Sequence, residues 1–294
     1  MKSGFISIIG RPNVGKSTLL NAIIGHKVAI ISNKPQTTRN NIQGIYNDHD
    51  AQMIFIDTPG IHKPDHKLGK FLNRQAYYGM NDDDIIMFLV DASEGLGKGD
   101  KFVTEKLADL NKPVILVINK IDRIPIPDIL LVIDQYKDLY NWSEIVPISA
   151  MKKDNIDCII KVLKKYLPDS MKYYEDDMYT NSSINFLMTE MVREKVLDLT
   201  DQEVPHAVTC VVEQVEMSEE KAIVYINIIV DRDSLKKIII GKQGSMLKEI
   251  GTRAREDIEK LLGKKVYLEL FVKTVKKWRD KEKHLHELGF NDKW

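Results

Sequence analysis

A phosphate-binding loop motif constrains the fold of this chain more than any other feature. Residues 10–17 read Gly-Arg-Pro-Asn-Val-Gly-Lys-Ser, and they directly follow an apolar run at 5–9. A strand, a Gly-rich loop and a helix start in this order form an anion site, because the loop N–H groups point at the phosphates. In such a loop Lys16 reaches the β- and γ-phosphates, and the Ser17 hydroxyl binds Mg²⁺. The motif therefore predicts a nucleotide site but leaves the base open.

Length and composition are typical of a soluble protein with two domains. The chain has 294 residues, of which 43% are hydrophobic and 29% charged. Its longest apolar stretch, at 85–90, is too short to span a membrane. Cys158 and Cys210 are isolated, which favours a reducing, cytoplasmic setting. Met1–Gly4 leads straight into the first predicted strand, so no signal peptide is expected.

Charge is balanced overall but unevenly distributed. The chain has 43 basic and 43 acidic residues, which argues against a general polyanion binder. Residues 236–283 hold 15 Lys/Arg against 7 Asp/Glu, a net of +8, whereas residues 183–235 hold 4 against 11, a net of −7. This asymmetry indicates a nucleic-acid face beside an acidic flank.

The first 170 residues alternate between strand and helix patterns. Apolar runs predict strands at 5–9, 52–56, 85–90, 113–118 and 145–148. Helical patterns lie near 16–25, 99–110, 127–140 and 154–166. The alternation predicts a doubly wound α/β domain over residues 1–170. In such a sheet, ligands bind outside the carboxyl ends of the strands.

Three further motifs each follow a predicted strand. In Asp57-Thr-Pro-Gly60, the carboxylate can hold Mg²⁺ directly or through water, and the Gly60 N–H can approach a γ-phosphate. In Asn119-Lys-Ile-Asp122, the final carboxylate can accept hydrogen bonds from guanine N1 and the 2-amino group. Adenine lacks both donors, so the motif predicts GTP and opposes an ATP-dependent kinase. At Ser149-Ala150, a backbone N–H can meet guanine O6.

The second half of the chain contains a different pattern. Residues 168–183 break all periodicity, which predicts a linker at 171–183 and a second domain over 184–294. In that domain a helix opening at a Ser182 or Ser183 cap precedes strands at 206–216 and 221–230, helices at 234–240 and 245–261, and a strand at 266–272.

Gly241-Lys-Gln-Gly244 connects the last two helices of this pattern. Glycines let the backbone approach a phosphodiester, and Lys242 adds positive charge. Unstacked bases would lie on an apolar floor formed by Ile238, Ile240, Leu247 and Ile250. The pattern resembles a type II KH domain, a smaller α+β fold that holds about four nucleotides of single-stranded nucleic acid.

The combination of motifs resembles the Era family of P-loop GTPases over essentially the whole chain. The loop form Gly-Arg-Pro-Asn-Val-Gly-Lys-Ser-Thr and the segment Lys34-Pro-Gln-Thr-Thr-Arg39 carry this resemblance, together with the KH pattern. It implies a P-loop GTPase domain followed by a type II KH domain. It also implies a GTP/GDP switch that binds 16S rRNA near its 3′ end and assists assembly of the small ribosomal subunit.

The resemblance also implies residue roles. Thr38, with Thr37 as the alternative, would bind Mg²⁺ when GTP orders the switch segments 33–46 and 61–80. Ile61 follows Gly60 where Ras-like enzymes have a water-orienting Gln, so slow hydrolysis is expected. Related GTPases with an Asn at the position of Asn13 can hold K⁺ against the phosphates, and K⁺ is a second expected cofactor.

The expected site residues fall into four groups. Catalytic contributions are expected from Lys16, Asn13, Thr38 and Gly60, and Mg²⁺ ligands from Ser17, Thr38 and Asp57. Nucleotide contacts are expected from Gly10, Arg11, Pro12, Asn13, Val14, Gly15, Lys16, Ser17, Thr18, Asp57, Thr58, Pro59, Gly60, Asn119, Lys120, Asp122, Ser149 and Ala150. RNA contacts are expected from Ile240, Gly241, Lys242, Gln243, Gly244, Lys248, Arg253 and Arg255.

Some features allow more than one interpretation. Arg11 and Arg39 lie near the site in sequence but are expected at the surface rather than in catalysis. Residues 275–290 predict a basic helix ending at Gly289, with Trp278, Leu285 and Leu288 packed inward. The positive charge of this helix is compatible with peripheral membrane association. Two rival functions stay open: a GTP-gated RNA-binding adaptor that barely hydrolyses GTP, and, less favoured, an RNA-modification GTPase.

Overall fold

The computed structural model describes residues 1–290 except 35, 62, 63, 65 and 109, and omits the side chains of 78–80. The chain forms two compact units. The first comprises Met1–Ala29, Thr38–Pro64 and Gly69–Asn181, and the second comprises Ile30–Thr37, Asp65–Leu68 and Ser182–Trp294. Residue 35 of the first predicted switch and residues 62, 63 and 65 of the second lie outside the described residues.

The first unit is built on a six-stranded sheet in the order β2-β3-β1-β4-β5-β6. Only β2 runs antiparallel to its neighbour; the other pairs are parallel. The strands are β1 Lys2–Ile9, β2 Ile42–Asn47, β3 Ala51–Asp57, β4 Ile85–Asp91, β5 Val114–Asn119 and β6 Glu144–Pro147. The helices are α1 Lys16–Ile24, α2 Lys67–Asp82, α3 Lys98–Leu107, α4 Ile126–Tyr136 and α5 Ile156–Tyr166.

The alternation of strands and helices follows from burial of the sheet. Every residue of β3, β4 and β5 is buried, as expected for strands covered on both faces. The doubly wound α/β fold predicted from these apolar runs is confirmed. Strand β2 was missed, because the predicted switch 33–46 covers most of it. It is an edge strand in which Gly44 leaves room for Leu20 and Ile24 of α1, so its sequence lacks a continuous apolar run.

Residues 171–181, which the sequence predicts as linker, lie along the β2 edge in the first unit. The Ile45 N–H donates to Tyr179 O at 2.9 Å. The Gln52 side chain accepts from the Tyr173 N–H at 2.7 Å and donates to Tyr174 O at 2.8 Å. These hydrogen bonds give the segment a fixed path that its polar composition did not predict, because composition reports no long-range partner.

The second unit contains a three-stranded sheet in the order β7-β8-β9, with β7–β8 antiparallel and β8–β9 parallel. Its elements are α6 Ile184–Leu199, α7 Val204–Ala207, β7 Val208–Met217, β8 Lys221–Val230, α8 Asp233–Ile240, α9 Ser245–Leu262, β9 Lys265–Thr274 and α10 Glu282–Glu287. Ser183 caps α6, accepting from the Phe186 N–H at 3.2 Å. The helix, strand, strand, helix, helix, strand order is the predicted KH order, which is confirmed.

One detail of the second unit differs from the sequence predictions, and it lies after β9. Within the sheet, the ladder between β7 and β8 shifts register between Val212 and Gln214, which interrupts the two-residue alternation along β7. The predicted helix over 275–290 is wrong: a 3-10 turn at Trp278–Asp280 precedes the six-residue α10. Lys277 has φ 55°, which ends any helix there. Trp278 is nonetheless buried, and its indole N–H donates to Ala207 O at 3.0 Å.

Among the described residues, no helix combines the length and apolar character needed to cross a bilayer. This agrees with the short apolar stretches in the sequence.

Candidate functional site

Four loops of the first unit meet at one edge of its sheet. The phosphate loop follows β1, Asp57 ends β3, Asn119 ends β5, and Ser149 lies just after β6. All four strands are parallel to one another, so their carboxyl ends lie on the same side. The sheet topology therefore assembles the motifs that the sequence placed far apart.

The phosphate loop has the conformation of an anion cradle. Asn13 and Gly15 have φ of 64° and 102°, so successive backbone groups turn toward one side. Lys16 is buried, and its Nζ donates to Gly10 O at 3.3 Å and Arg11 O at 3.0 Å. Burial lowers the pKa of Lys16 to about 8, opposed by the charge of Asp57. Among the described residues, no carboxylate lies within salt-bridge distance of the Lys16 ammonium. A polyphosphate bound here would therefore be its ion-pair partner, and the phosphate charge would favour the protonated form of Lys16.

Two glycines are required by close approach. A Cβ on Gly15 would lie 2.4 Å from Asn119 Nδ2, and a Cβ on Gly60 would lie 2.9 Å from the Pro12 backbone. The loops after β1, β3 and β5 thus pack directly against one another. A side chain at Gly15 or Gly60 would displace the phosphate loop, because both contacts reach groups that cannot swing away.

Three side-chain oxygens meet beside the loop. The Ser17 hydroxyl lies 2.6 Å from Asp57 Oδ2 and 3.0 Å from Thr38 Oγ1, and Thr38 Oγ1 donates to the same carboxylate oxygen at 3.1 Å. Asp57 is fully buried, and its Oδ1 has no hydrogen-bond partner within the described part of the chain. Burial raises the pKa of Asp57, opposed by Lys16 and the two hydroxyls. A hard cation at this cluster fits the oxygen donors and would compensate the buried charge.

Thr37 occupies a different position from Thr38. Its hydroxyl donates to Lys34 O at 2.7 Å, away from Ser17 and Asp57. Of the two threonines that the sequence left as alternatives, the structure brings Thr38 to the oxygen cluster.

The third and fourth motifs form the other end of the site. Asn119 Nδ2 donates to Val14 O at 2.8 Å, and its Oδ1 accepts from the Ala150 N–H at 3.0 Å. Lys120 Nζ donates to Asn13 O at 2.7 Å. Asp122 is exposed and accepts a hydrogen bond from the Ser149 hydroxyl. Asn119 and Lys120 thus tie the loops together, while the Asp122 carboxylate stays open to a base.

Other predicted contacts are placed less directly. Thr58 is buried and its hydroxyl donates to Ile8 O at 2.9 Å, so its side chain supports the loop rather than facing a ligand. Val14 and Pro59 are buried, whereas Thr18 is half-buried at the start of α1. Ile61 is buried in the apolar core of the first unit.

One charged residue departs from the sequence predictions, and three others make contacts that the sequence did not predict. Arg39, expected at the surface, is 2% exposed, which is a correction. The Arg11 side chain is paired with α3, where its Nε donates to Asp100 Oδ1 at 2.7 Å. Asp91 Oδ2 lies 2.6 Å from Lys120 Nζ. Burial opposes ionisation of Asp91, but hydrogen bonds from Lys120 and Ser93 lower its pKa overall. Asp91 and Asp100 were missed because neither belongs to a motif.

The second unit carries the predicted Gly-x-x-Gly loop between α8 and α9. Gly241, Gln243 and Gly244 have φ of 72°, 53° and 79°, which bends the backbone sharply outward. Lys242 and Gln243 are exposed. A Cβ on Gly241 would lie 2.7 Å from Met246 Cβ, so the turn requires glycine there.

The apolar floor and basic face are partly as predicted. Ile238 is 48% exposed, and Ile240 and Leu247 are half-buried beside the loop. Ile250 is fully buried in the core, so its assignment to the floor is wrong. The helical period of the sequence did not show which residues of α9 face the core and which lie on the side of the loop.

The predicted basic residues of α9 do not share one face. Lys248 and Arg255, seven residues apart, are exposed on the same side of the helix. Arg253 lies about 140° around the helix from Lys248 and forms an ion pair with Glu249 at 2.7 Å. Lys248 and Arg255 therefore share one basic face of α9, and Arg253 lies on another.

One functional group in the second unit was not foreseen. The segment 30–37 belongs to this unit, and its residues from 33 onward begin the predicted first switch 33–46. Arg193 of α6 is 1% exposed, forms an ion pair with Glu190 and donates through Nη2 to Thr37 O. Glu194 accepts from the Ile31 N–H at 3.0 Å. In the sequence, the only hint of such a contact is an Arg within the helical pattern that begins after Ser183.

Comparisons with known proteins agree with this geometry. A family model described as "50S ribosome-binding GTPase" matches residues 5–120, and a KH domain model matches residues 203–279. A protein described as "GTPase Era" from Staphylococcus haemolyticus is 52% identical over 291 residues, covering 98% of this chain and 97% of that protein.

Two solved structures are similar over 99% of both chains at 43% identity. One is an Era variant from Aquifex aeolicus bound to GDP and AlF4⁻, with a TM-score of 0.95. The other is Era in complex with MgGDPNP and nucleotides 1506–1542 of 16S ribosomal RNA, with a TM-score of 0.96.

Proposed function

Because this chain belongs to the Era family of GTPases and is a GTP hydrolase, we propose that it binds 16S rRNA near the 3′ end and assists assembly of the small ribosomal subunit. The observation that carries the proposal is the pairing of a guanine-type nucleotide site with a Gly-x-x-Gly loop in one chain. GTP would favour RNA binding, and hydrolysis to GDP would release the RNA. Such a switch requires that the two nucleotide states differ in RNA affinity.

The nucleotide would lie along the carboxyl edge of the first sheet. Residues 10–18 would hold the phosphates with their backbone N–H groups, with Lys16 at the β- and γ-phosphates. Residues 57–60 would face the γ-phosphate, and Asp122 with residues 149–150 would hold guanine. Asn119 and Lys120 contribute chiefly by fixing the loops that surround the base, as their hydrogen bonds to Val14 O and Asn13 O indicate.

Mg²⁺ would be held by Ser17, Thr38 and Asp57. Their oxygens already lie within about 3 Å of one another, and the buried carboxylate needs a positive partner. When bound, the ion supplies charge neutralisation between the β- and γ-phosphates. The chain's own part is to orient Thr38 and Asp57, to present Lys16 and to keep the Gly60 N–H beside the γ-phosphate.

We propose that hydrolysis is slow without a further cation. Ile61 is buried among apolar residues and has no group that could orient water. Asn13 is exposed at the lip of the loop with φ 64°, where its side chain can help to hold K⁺ against the phosphates. Turnover should therefore be faster in K⁺ than in Na⁺ at equal ionic strength, and Asn13→Ala should remove this difference. Equal turnover in both salts would refute the role of K⁺.

The RNA would lie across the loop 241–244, with bases on Ile240 and phosphates near Lys242, Lys248 and Arg255. Arg253, which pairs with Glu249 on another side of α9, would contribute less than its charge suggests. The decisive measurement is the affinity for a 3′-terminal 16S fragment, compared between a GTP analogue and GDP at one salt concentration. Tighter binding with the analogue supports the switch, whereas equal binding removes it.

A GTP-gated recruitment adaptor is the second candidate. Buried Ile61 favours it, because a site with weak hydrolysis would remain in its GTP form. Single-turnover hydrolysis with and without RNA separates the two functions. RNA-stimulated hydrolysis supports the assembly switch, and negligible turnover in both conditions supports the adaptor.

Such a factor would work in the cytoplasm, where small subunits assemble. The basic segment 275–283 would add weak attraction to an anionic membrane surface. We propose this second location as a minor fraction, and flotation with anionic and neutral vesicles tests it. Equal flotation with both vesicle types would contradict attraction through charge.

A further inference from the structure

The phosphate loop has two supports, and only one comes from a nucleotide-binding motif. In that motif, Asn119 and Lys120 donate to Val14 O and Asn13 O. Separately, the Arg11 side chain reaches the start of α3, where its Nε donates to Asp100. This second support involves residues that no binding motif contains.

The support is a carboxylate that the fold holds rigidly. Asp100, at the third position of α3, is fully buried. Its Oδ1 accepts from Arg11 Nε at 2.7 Å, while its Oδ2 accepts from the Gly97 N–H at 2.9 Å and the Tyr136 hydroxyl at 3.0 Å. Both oxygens are therefore occupied, and the carboxylate cannot reorient without breaking a hydrogen bond.

The Arg11 side chain is enclosed as well as paired. A Cβ on Gly97 would lie 3.1 Å from Arg11 Nη1, and one on Gly99 would lie 2.6 Å from Arg11 Cδ. Arg11 Nη1 also lies 3.1 Å from Glu94, whose side chain is 58% exposed. Gly97 leaves space for the guanidinium and Gly99 leaves space for the aliphatic stem, so both parts of the arginine side chain are confined.

The backbone of the same residue is part of the cradle. Arg11 O accepts a hydrogen bond from Lys16 Nζ at 3.0 Å, and Pro12 next to it packs against Gly60. Fixing the Arg11 side chain therefore fixes the peptide group that contacts the phosphate-binding lysine. A loop held in its binding conformation binds a ligand more tightly, because less ordering occurs on binding.

We propose that Asp100 is a positioning residue for the phosphate loop, acting through the Arg11 side chain. This inference rests on the proposed nucleotide site at residues 10–18. Because the support holds ground state and transition state alike, its loss should raise the KM for GTP and leave kcat unchanged.

The test is a double-mutant cycle on GDP affinity in the full-length protein. Asp100→Asn should weaken GDP binding about tenfold, since a charge-assisted buried hydrogen bond is lost. Arg11→Met should weaken it similarly. Asp100→Asn should have no further effect on the Arg11→Met background, because the positioning route is already gone. Arg11→Met alone leaves the buried Asp100 carboxylate without its arginine, whereas the double variant has a neutral amide there. The GDP affinity of the double variant therefore remains measurable if Arg11→Met alone folds poorly.

Tyr136→Phe is the matched control. It removes one hydrogen bond to Asp100 Oδ2 but keeps the Gly97 N–H on that oxygen and Arg11 Nε on Oδ1, so it should lower the thermal midpoint and leave GDP affinity within about twofold. The proposal is overturned if Asp100→Asn binds GDP as the parent does, or if its effect is the same with and without Arg11. Lys16→Ala is measured in parallel: if it retains full affinity, the nucleotide site itself is wrong, which separates the two failures.

Discussion

Single buried carboxylates carry much of the chemistry at the residue scale, each with a different environment. Asp57 and Asp100 are both fully buried, but the first is surrounded by hydroxyls and the second by Arg11 and Tyr136. The first therefore remains available to a cation, and the second is committed to holding the loop. Asp122 is exposed and accepts a hydrogen bond from Ser149, which leaves its carboxylate accessible to the guanine that we propose it holds.

Asp122→Asn should exchange guanine for xanthine. The amide nitrogen can donate to the 2-oxo group of xanthine, whereas it cannot accept from the 2-amino group of guanine. We expect competition assays to show XTP displacing labelled nucleotide better than GTP does, the reverse of the parent. Asp134→Asn, an exposed exchange on α4, should leave the order unchanged. Retained preference for GTP in the Asp122 variant would contradict the assignment of the base.

Asp83 should make stability depend on pH. Burial raises the pKa of Asp83 from 3.8 to about 6, despite the hydrogen bond from the Ser7 hydroxyl. The folded state then holds the proton at pH values where the unfolded chain has released it. The free energy of unfolding should therefore fall by about 3 kcal/mol as pH rises through this window, and stay level above it.

Urea unfolding at about pH 4 and about pH 7 measures the effect of Asp83. Asp83→Asn should remove most of the difference between the two pH values that the parent shows. Asp82→Asn, an exposed exchange at the neighbouring position, should preserve it. An unchanged difference in the Asp83 variant would assign the pH dependence to other groups.

At the element scale, the register of α9 decides which charges can act together. Ile250, Ala254 and Ile258 face the core, which leaves Lys248 and Arg255 together on one flank. The sequence identified α9 as basic, but the helical period combined with the core contacts divides that charge into two faces.

Lys248→Ala and Arg255→Ala should weaken RNA binding without changing base preference. If each contacts a phosphate, the slope of log affinity against log salt should fall by about 0.7 per exchange for single-stranded RNA. Lys260→Ala, exposed near the end of the same helix, should leave the slope unchanged. Equal slopes in all three variants would place the RNA elsewhere.

At the scale of the whole molecule, two binding units share one chain that passes between them five times. Residues 30–37 and 65–68, which cover parts of both predicted switches, belong to the unit that carries the KH fold. Nucleotide-dependent order in these segments would therefore act on both units through the continuous backbone.

Linkage makes this coupling measurable from either side. If a GTP analogue raises RNA affinity by some factor, RNA must raise the affinity for the analogue by the same factor. We expect fluorescence titrations of a labelled GTP analogue, with and without the 3′-terminal RNA, to match the factor from RNA titrations. GDP should show a factor close to one. Unequal factors would mean that RNA and nucleotide bind to different populations of the protein.

Local patterns determined the fold class, the guanine-type nucleotide site and the KH order, because short motifs and apolar periods depend on neighbouring residues. Strand β2 and the α9 faces were not determined in this way, because Gly44 and Ile250 take their roles from contacts with distant elements. The same holds for the Asp100 and Arg193 contacts. Asp100 lies 89 residues from Arg11, and Arg193 lies 156 residues from Thr37. Residues so far apart in the sequence form no local pattern when they pair, so only the tertiary structure decided these contacts.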